Sequence, residues 1–479
     1  MGASTKPADP IEGHRISTRA ARAPATTTRT VGLVHSVYRD FNAVRCFEDE
    51  WDAFAARAGD MFCTLTWYET WWRHFGDRRR LEVHVFREGD ELVALLPIVR
   101  YTLRVAGIPL RMVQLVGCDH ALAAAGLAIK RACIEPVMRA LTASLTRTGP
   151  WDLLHLGPMR SYALEVPRIG HACAAVSDVD AVIIGNRDGC QTIYPLPETY
   201  ERYIAGMSGS ERRNIGRCER RLADSHTVEL SFPHTLDEVE AALDHLVELH
   251  QELWKTKGRL GQFEEWPAFE PFYRDMCRVQ QEAGRLVLVQ LNVDGRPVGV
   301  EGGYAFGPRV HAIIRGYDPG EEWNKYSFGR ILHCGMAREA IRRGAKLLDD
   351  GGGAFEYKHR LGGKLACARS VTVLHKGRAA RVRFWLAARV ACFLFGFGRR
   401  MWIYKLHRLG FSERPIRRKR LRAGFLAELY RRADFRLVGQ NGALETRCVN
   451  GLRRISRPRW CTKPESVVEP THQTMKGRS

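Results

Sequence analysis

Three strand-like segments follow one another closely in the second half of the chain and constrain its fold more than any other feature. They are residues 286–293, 297–306 and 310–317, and the turn pairs Asp294-Gly295 and Gly307-Pro308 separate them. Because such short connections join antiparallel neighbours, we predict an antiparallel meander here. A helix at 328–343 and short strands at 346–350 and 369–375 are predicted to follow it.

The segments around this meander form a pattern that occurs twice. Before the meander, apolar residues at helical spacing predict helices, with one strand among them, at residues 199–223, 228–232 (the strand), 236–257 and 265–282. The first half shows a similar order of helices, then strands, then a helix and further strands. We therefore predict a mixed α/β fold with two lobes in tandem. The predicted divisions are a disordered leader 1–30, lobes 31–194 and 195–375, and a basic, partly disordered tail 376–479.

The positive charge of the chain is concentrated in that tail. The sequence has 74 Lys and Arg against 53 Asp and Glu, a net charge of +21, and residues 376–479 alone have 26 against 6. The lobes are therefore close to neutral, and the tail is the part that attracts anions. The sequence shows neither an export signal nor an apolar run of about 18 residues. Its 13 cysteines are scattered, so we predict a cytoplasmic protein without a metal site.

The tail begins with an amphipathic pattern. On a helical wheel, one side has Arg381, Arg389, Arg399 and Arg400. The opposite side has Val382, Leu386, Val390, Phe393 and Phe397, although Arg383 interrupts the pattern. An apolar face bordered by arginines is typical of a helix on an anionic membrane surface, so we predict peripheral attachment through residues 381–422. Two alternatives stay open: binding of nucleic acid by the same charge, and packing of the helix on the lobes.

Short motifs along residues 45–375 carry a family resemblance. The order of predicted elements matches the core of the GNAT family of N-acetyltransferases. The motifs resemble the CelD-like acetyltransferases associated with bacterial cellulose and exopolysaccharide synthesis, and they lie at residues 62–67, 95–97, 117 with 119, 212–215, 316–319, 326–330, 349–353 and 357–358. The sequence has Phe328 where that family usually has Pro. The resemblance implies transfer of an acetyl group from acetyl-CoA to the amine or hydroxyl of a small-molecule or glycan acceptor.

A second resemblance leaves an alternative open. Residues 357–363 are similar to the Phe-Lys-x-x-Phe-Gly-Gly motif of the Fem-type peptidyltransferases, which use aminoacyl-tRNA. This implies an aminoacyl-tRNA-dependent transferase whose basic tail holds tRNA. A further alternative is a degenerate GNAT-fold protein that serves as a non-catalytic partner at a membrane.

The GNAT resemblance places the donor's diphosphate at the N-terminus of the helix that follows the meander. Backbone N–H groups without intrahelical partners, together with the partial positive charge of the helix end, bind a diphosphate there. Gly329 would permit close backbone approach, and Ser327 is the expected N-cap. The predicted cofactor-binding residues are Lys325, Tyr326, Ser327, Gly329 and Arg330.

Attack on a thioester requires removal of a proton from the acceptor. Glu301, in an apolar strand, is the first candidate because desolvation makes a carboxylate a stronger base, and Asp349 is the second. Tyr357 is predicted to protonate the leaving thiolate and Lys358 to neutralise negative charge. Ordinary positions on a strand face and a flexible turn are the alternatives for these residues.

The predicted substrate-binding residues are His250, Trp254, Arg213 and Asp119. His250 and Trp254 lie one helical turn apart, Arg213 belongs to an arginine-rich helix, and Asp119 comes from the family motif. A core histidine beside a packing tryptophan and a solvated arginine face are the alternatives. The sequence contains no HExxH, GxSxG or Walker pattern, which disfavours metalloproteases, serine hydrolases and P-loop enzymes.

Overall fold

The computed structural model describes residues 24–30, 32–118, 126–160, 166–176, 179–184, 189–258, 260–352, 356–401, 436–438 and 444–446. Within these ranges the chain has a mixed α/β fold with two lobes in tandem, so the predicted fold class is confirmed.

Along the chain, the strands of the first lobe come both before and after its helices. Its strands are β1 (Thr26–Thr30), β2 (Leu33–Tyr38), β3 (Arg80–Glu88), β4 (Glu91–Val105), β5 (Ile108–Leu115), β6 (Ala128–Ile129), β7 (Leu153–Arg160), β8 (Val179–Ile184) and β9 (Gly189–Pro195). Its α-helices are α1 (Glu48–Ala58), α2 (Leu65–Phe75), α3 (Ile134–Thr148) and α4 (Val166–Ala174). Short 3₁₀ helices lie at Phe41–Phe47, Met61–Cys63 and Arg131–Cys133.

The second lobe has the predicted meander at its centre. Its helices are α5 (Tyr200–Ala205), α6 (Gly209–Ser225), α7 (Leu236–Thr256), α8 (Gln262–Glu265), α9 (Phe269–Glu282), α10 (Phe328–Arg342) and α11 (Glu356–Arg360). Its strands are β10 (Val228–Ser231), β11 (Leu286–Val293), β12 (Arg296–Phe306), β13 (Arg309–Tyr317), β14 (Leu347–Gly352) and β15 (Lys364–His375). A 3₁₀ helix lies at Glu321–Tyr326, and α12 (Arg378–Met401), β16 (Arg436–Val438) and β17 (Leu444–Thr446) follow.

The two lobes repeat one order of elements. In the first, two helices precede the antiparallel strands β3, β4 and β5, and α3 then leads to β7, which pairs in parallel with β5. In the second, α7 and α9 precede the antiparallel strands β11, β12 and β13, and α10 leads to β14, which pairs in parallel with β13. The tandem arrangement is therefore visible in the chain's own topology.

Strand β15 joins the sheets of the two lobes. Its first part, Lys364 to Ala368, pairs with β9, which itself pairs with β14. Its second part pairs with β7 on one side and β8 on the other. The last strand of the second half thus completes the first lobe. Strand β9 also crosses the predicted division at residues 194 and 195.

The lobes also share a hydrophobic core. One cluster of buried side chains contains Trp51 and Trp67 from the first lobe with Val239 and Phe272 from the second. The rings of Trp67 and Phe272 meet edge to face with centroids 5.4 Å apart. At the border of this contact, His74 Nε2 lies 2.7 Å from Asp275 Oδ2. Separating the lobes would expose these apolar side chains to water, so their shared burial couples the two lobes.

Two details correct the sequence analysis. Residues 26–30 are not disordered, because they form β1 and pair with β2; residues 1–23 lie outside the described chain. The helix predicted at 199–223 is two helices, since the chain leaves helical geometry between Ala205 and Gly209 and Ser208 caps α6 through the Glu211 N–H.

Helix α12 packs on the first lobe. This packing was one of the alternatives that the sequence analysis left open for the tail. Phe384, Ala387, Ala388 and Ala391 are buried against Leu110 and its neighbours on the sheet. Arg383, which interrupts the amphipathic pattern, forms two hydrogen bonds of 3.0 and 2.6 Å with the buried carboxylate of Asp152. Most of the tail beyond Met401 lies outside the described residues. Among the helices that the structure describes, none is both long and apolar enough to cross a membrane.

Candidate active site

A cavity opens where two parallel strands of the second lobe diverge. Strands β13 and β14 pair only as far as His311 opposite Asp349, although they continue to Tyr317 and Gly352. The space between them belongs to a cavity of about 940 Å³. Residues of both strand ends line it, together with the N-terminal end of α10. The separation of the strands therefore makes room for a ligand beside a helix N-terminus.

A β-bulge next to this opening sets the direction of the side chains. Between β12 and β13 the register shifts after Gly303, which pairs with Ala312, so that Gly302 pairs with Ile314. A Cβ atom on Gly303 would lie 2.3 Å from the His311 carbonyl oxygen, so no larger residue fits there. The bulge adds one residue to β13 and so places Glu301 directly opposite Arg315.

The N-terminus of α10 faces the cavity through residues Ser327, Phe328, Gly329 and Arg330. Ser327 occupies the N-cap position in a left-handed conformation (φ 56°), and its side chain makes no capping hydrogen bond. Instead, the Ser327 hydroxyl accepts a 3.3 Å hydrogen bond from Arg330 Nη1. Ser327 is thus the N-cap residue, as predicted, but its hydroxyl does not cap the helix. The Arg330 N–H bonds to the Ser327 carbonyl oxygen, and the N–H groups of Phe328 and Gly329 stay available to an anion.

Arg330 is held at this helix end by a partner from α6. Its Nε donates a 2.7 Å hydrogen bond to Glu211 Oε1, and Glu211 is buried. The ring of Phe328 is only 2% exposed and stacks near Tyr326, so it points into the core. The aromatic residue that replaces the family's proline therefore leaves the helix end open.

A buried charge cluster forms one wall of the cavity. Glu301 is 1% exposed, and its Oε1 accepts a 2.5 Å hydrogen bond from Arg315 Nη2. Glu301 Oε2 is buried and makes no hydrogen bond with the described chain. Burial raises the pKa of Glu301, and the charge of Arg315 opposes this shift. Burial acts to lower the pKa of Arg315, but Glu301 and Asp350 together raise it, so the guanidinium stays charged.

Lys358 organises the loop that leaves β14. Its Nζ donates hydrogen bonds to the carbonyl oxygens of Asp350 (2.5 Å) and Gly352 (3.2 Å), and it lies 3.4 Å from Asp350 Oδ2. Lys358 is only 4% exposed. Burial lowers its pKa, against the effect of Asp350. This geometry makes Lys358 a positioning residue for the Asp350–Gly352 backbone.

Tyr357 contributes a phenol hydroxyl to the lining of the cavity. Although 37% of the residue is exposed, desolvation raises its pKa to about 12. At neutral pH the group is therefore a hydrogen-bond and proton donor and not a base.

His250 lines the cavity with both ring nitrogens in use. Its Nδ1–H donates a 2.8 Å hydrogen bond to the Arg315 carbonyl oxygen, and its Nε2 accepts one of 3.3 Å from the Gln262 N–H. Burial lowers the pKa of His250 to about 4, so the ring is neutral. The ring of Trp254, also at the cavity, lies 5.9 Å away. His250 thus fixes the wall formed by α7 and β13.

His311 and Asp349 form a second polar pair where the strands begin to separate. His311 Nδ1 lies 3.6 Å from Asp349 Oδ2, and Asp349 Oδ1 accepts a 3.0 Å hydrogen bond from the Gly351 N–H. The His311 ring also meets Phe62 of the first lobe edge to face at 5.1 Å. The first lobe therefore contributes to this end of the cavity.

The structure brings most of the predicted site residues together. Those that line the cavity are Glu301, Asp349, Tyr357, Lys358, Ser327, Gly329, Arg330, His250 and Trp254. Three others are not among the residues that line it. Tyr326 is buried in the core, the exposed Lys325 lies against the Tyr326 ring, and Arg213 is exposed on α6. The roles predicted for these three residues stay predictions, and Asp119 lies outside the described residues.

Several residues of the site were missed by the sequence analysis. Arg315 and Asp350 link Glu301 to Lys358, and His333 on α10 lies behind them, with its Nδ1 4.0 Å from Asp350 Oδ2. Burial lowers the pKa of His333 to about 4, and its Nε2 shares a 2.8 Å hydrogen bond with the Tyr203 hydroxyl. An arginine directly after the apolar run Ala312–Ile314 was the available signal for Arg315.

The sequence of this region matches a known domain. Residues 209–359 match the family model described as an acetyltransferase (GNAT) domain. This segment is a GNAT domain. It contains the meander, the N-terminus of α10 and the charge cluster, so the chain carries an acyltransferase domain of the GNAT fold. The finer resemblance to the CelD-like acetyltransferases stays a prediction.

Three solved structures have a similar chain path at low sequence identity. FemX has 10% sequence identity, a TM-score of 0.49, and an alignment over 68% of this chain and 95% of its own. A tandem GNAT protein from the clavulanic acid biosynthesis pathway has 14% identity, a TM-score of 0.39, and coverage of 71% and 98%. The C-terminal domain of a putative lysylphosphatidylglycerol synthetase from Agrobacterium fabrum has 12% identity, a TM-score of 0.41, and coverage of 70% and 93%. No curated protein matches the sequence.

The cavity combines groups suited to acyl transfer. It has an anion-binding helix end, a buried carboxylate with a raised pKa and a protonated tyrosine hydroxyl. Among the described residues, no group of three or more His, Cys, Asp or Glu side chains is placed to hold a metal ion. The arrangement suits direct transfer between a donor and an acceptor that meet in the cavity.

Proposed function

We propose that the chain is an acyl-CoA-dependent acetyltransferase that acts on an amine or hydroxyl acceptor in the synthesis of a cell-surface polysaccharide of the cellulose type. The observation that carries the proposal is that the amide-bearing end of α10 and Glu301 line the same cavity. The polysaccharide acceptor and the cytoplasmic location rest on the motif resemblance and on the composition of the sequence.

Residues at the α10 end fit an acyl-CoA. Its diphosphate is an anion, and the uncapped N–H groups of Phe328 and Gly329 with the guanidinium of Arg330 would hold it. The pantetheine arm carries amides, and β13 beyond His311 has no strand partner on the β14 side in the described pairings. That free strand edge offers backbone groups for those amides. When bound, acetyl-CoA supplies an acetyl group activated as a thioester.

Glu301 is proposed to take the proton from the acceptor. Arg315 holds Oε1, which leaves the buried Oε2 as the basic atom. Its raised pKa brings the carboxylate nearer to working pH, so its ionised form is a stronger base than an exposed glutamate. Asp349, paired with His311, is the second candidate.

Tyr357 and Lys358 take different roles in this proposal. Desolvation raises the pKa of Tyr357 to about 12, so its hydroxyl stays protonated and would donate a hydrogen bond to the leaving thiolate. Lys358 has its ammonium occupied by backbone carbonyl oxygens, so it would act by holding the Asp350–Gly352 backbone in place.

Thermal shift measurements on the full chain test the donor. Acetyl-CoA at a hundredfold excess over its dissociation constant should stabilise the protein by about 2.7 kcal/mol, because it binds only the folded form. Radiolabelled acetyl-CoA should then transfer label to glucosamine or a cello-oligosaccharide. Stabilisation by aminoacyl-tRNA alone would replace the proposal by the Fem-type alternative, and indifference to both donors would favour a non-catalytic partner.

A further inference from the structure

Helix α12 presents two different apolar faces. The face formed by Ala380, Phe384, Ala387, Ala388 and Ala391 is buried on the first lobe. The other face points outward and exposes Val382 (64%), Leu386 (51%), Phe393 (70%) and Trp385 (42%). Of the apolar side that the helical wheel identified, Val390 packs partly on the first lobe, whereas Val382, Leu386 and Phe393 stay exposed.

The outward face is positively charged as well as apolar. Arg378, Arg381 and Arg389 are exposed, as Val382 and Leu386 are, so the arginines and the apolar residues do not lie on opposite sides as the helical wheel predicted. The 24 residues of α12 include no Asp or Glu. The helix also lies in the segment 376–479, which has 26 Lys and Arg against 6 Asp and Glu.

Helix α12 is fixed to the body of the protein. Asp152 is fully buried, and it receives hydrogen bonds from both Arg383 and Arg111. Small alanine side chains let the helix backbone approach the sheet closely. The outward side chains are therefore presented in a constant orientation and need no folding of the helix on contact.

We propose that the outward face of α12 is a membrane-contact surface that binds anionic phospholipid. Val382, Leu386 and Phe393 enter the boundary between headgroups and acyl chains, while Arg381 and Arg389 contact lipid phosphates. Each basic residue near an anionic leaflet contributes about 1 kcal/mol of binding. Arginine charge explains the preference for anionic lipid. The exposed aliphatic side chains of Val382 and Leu386 favour lipid over nucleic acid, whose phosphates pair with arginine and whose bases stack on aromatic rings. The proposal is independent of the acetyl donor, because the face is outside the cavity.

Vesicle flotation of the full chain tests this surface. The protein should float with phosphatidylcholine vesicles that contain phosphatidylglycerol, and much less with phosphatidylcholine alone. The Val382→Ser, Leu386→Ser double variant should partition about tenfold less because less apolar surface enters the lipid. Leu236→Ser is the matched control, since Leu236 is 64% exposed on α7, and it should bind vesicles like the wild type. A double variant that floats as the wild type does would overturn the proposal.

A charge-adding variant separates insertion from simple attraction. Leu386→Lys removes an apolar side chain and adds a positive charge, so it should also bind anionic vesicles more weakly than the wild type. Tighter binding by Leu386→Lys, or binding to single-stranded RNA with the same loss in the double variant, would show that the face serves general polyanion attraction. Acetyl transfer to a soluble acceptor should be unchanged in all these variants, which keeps a failure here distinct from a failure of the proposed reaction.

Discussion

Glu301 is a buried carboxylate that accepts a hydrogen bond from Arg315 and lines the cavity. Its environment combines desolvation, which raises the pKa, with the charge of Arg315, which opposes the rise. Because Arg315 is itself held between Glu301 and Asp350, its charge cannot move away to solvent when the carboxylate changes state. This fixed partner distinguishes Glu301 from a glutamate on an open strand face.

Replacement of Glu301 by Gln should lower kcat about 10²–10³-fold with little change in KM, because the proton acceptor is lost while the cavity keeps its shape. In the wild type, kcat should fall as pH decreases through the raised pKa of Glu301, since only the ionised form accepts a proton. That acidic limb should be missing from the profile of the variant. Steady-state kinetics across pH measure both effects, with Glu229→Gln on the exposed face of β10 as control. A kcat within twofold of the wild type would remove Glu301 from the reaction.

The same residue shows how far sequence reasoning reaches. Glu301 could be found because a carboxylate in an apolar strand is unusual. Its partner could not, because counting back from the Gly307-Pro308 turn pairs Glu301 with Ile314, and only the bulge moves Arg315 opposite it. The burial of the Tyr326 ring has a similar origin. The chain turns at Ser327 and directs that ring into the core and away from the cavity lining. Positions along the chain were predictable, whereas directions of side chains depended on single-residue irregularities.

At the scale of elements, α10 lines the cavity with its N-terminus and stabilises the second lobe with its buried side chains. Its N-terminus faces the cavity, and its buried side chains, among them Leu332 and Met336, pack under the meander. An N-terminus with no side-chain cap costs some stability, which the packing of the helix offsets. The same amides are then free for an anionic ligand.

Gly329→Asp should separate these two functions. A carboxylate in the first turn favours the helix by about 0.5 kcal/mol, but it repels a diphosphate at the same place. Gly329→Ala is the matched control, because either Cβ lies 3.3 Å from the Tyr317 ring. We expect the aspartate variant to bind acetyl-CoA about tenfold more weakly than the alanine variant at equal or higher melting temperature. Calorimetric titration measures the affinity, and equal affinities would show that the diphosphate lies elsewhere.

Helix α12 depends on one buried ion contact. Burial opposes ionisation of Asp152, but hydrogen bonds from Arg383 and Arg111 outweigh it and lower the pKa of Asp152. A lowered pKa stabilises the folded form at pH values above the ordinary carboxyl pKa of 3.8, and this contribution is lost as pH falls through the lower folded value.

Arg383→Met should therefore weaken the docking of α12 by about 2 kcal/mol at neutral pH. The difference from the wild type should become smaller below the ordinary carboxyl pKa, where Asp152 begins to accept a proton. Hydrogen exchange of the α12 amides measures the change, and Arg381→Met, at an exposed position of the same helix, should leave the exchange unaltered. Identical exchange in Arg383→Met and the wild type would contradict the role of this contact.

At the scale of the whole molecule, the two lobes share one hydrophobic core. Trp67 and Phe75 of α2 pack on Phe272 of α9, and the His74–Asp275 contact lies beside them. The cavity depends on this arrangement, because Phe62 of the first lobe contacts His311. The sequence predicted two lobes from two similar patterns of elements, but local periodicity contains no information about which faces of different lobes meet.

Phe272→Ala should lower the free energy of unfolding by about 4 kcal/mol and keep a single transition, because the ring is shared by both lobes. Tryptophan fluorescence reports the packing of both lobes, because Trp51 and Trp67 lie in the first lobe and Trp266 and Trp323 in the second. Far-ultraviolet circular dichroism reports both lobes, so coincident curves in urea would confirm one cooperative unit. Phe272→Leu is the conservative control, with an expected loss of about 1 kcal/mol. Two separated transitions in the wild type would refute the shared core.

The position of β15 between β7 and β8 affects how the first lobe can fold during translation. During translation, β7 and β8 leave the ribosome long before residues 371–375, the segment that lies between them. Until then their facing edges have no partner, and a nascent chain must keep them from pairing with other polypeptides. Any gene fragment that stops before β15 should thus yield insoluble material, even though it encodes every other strand of the first half.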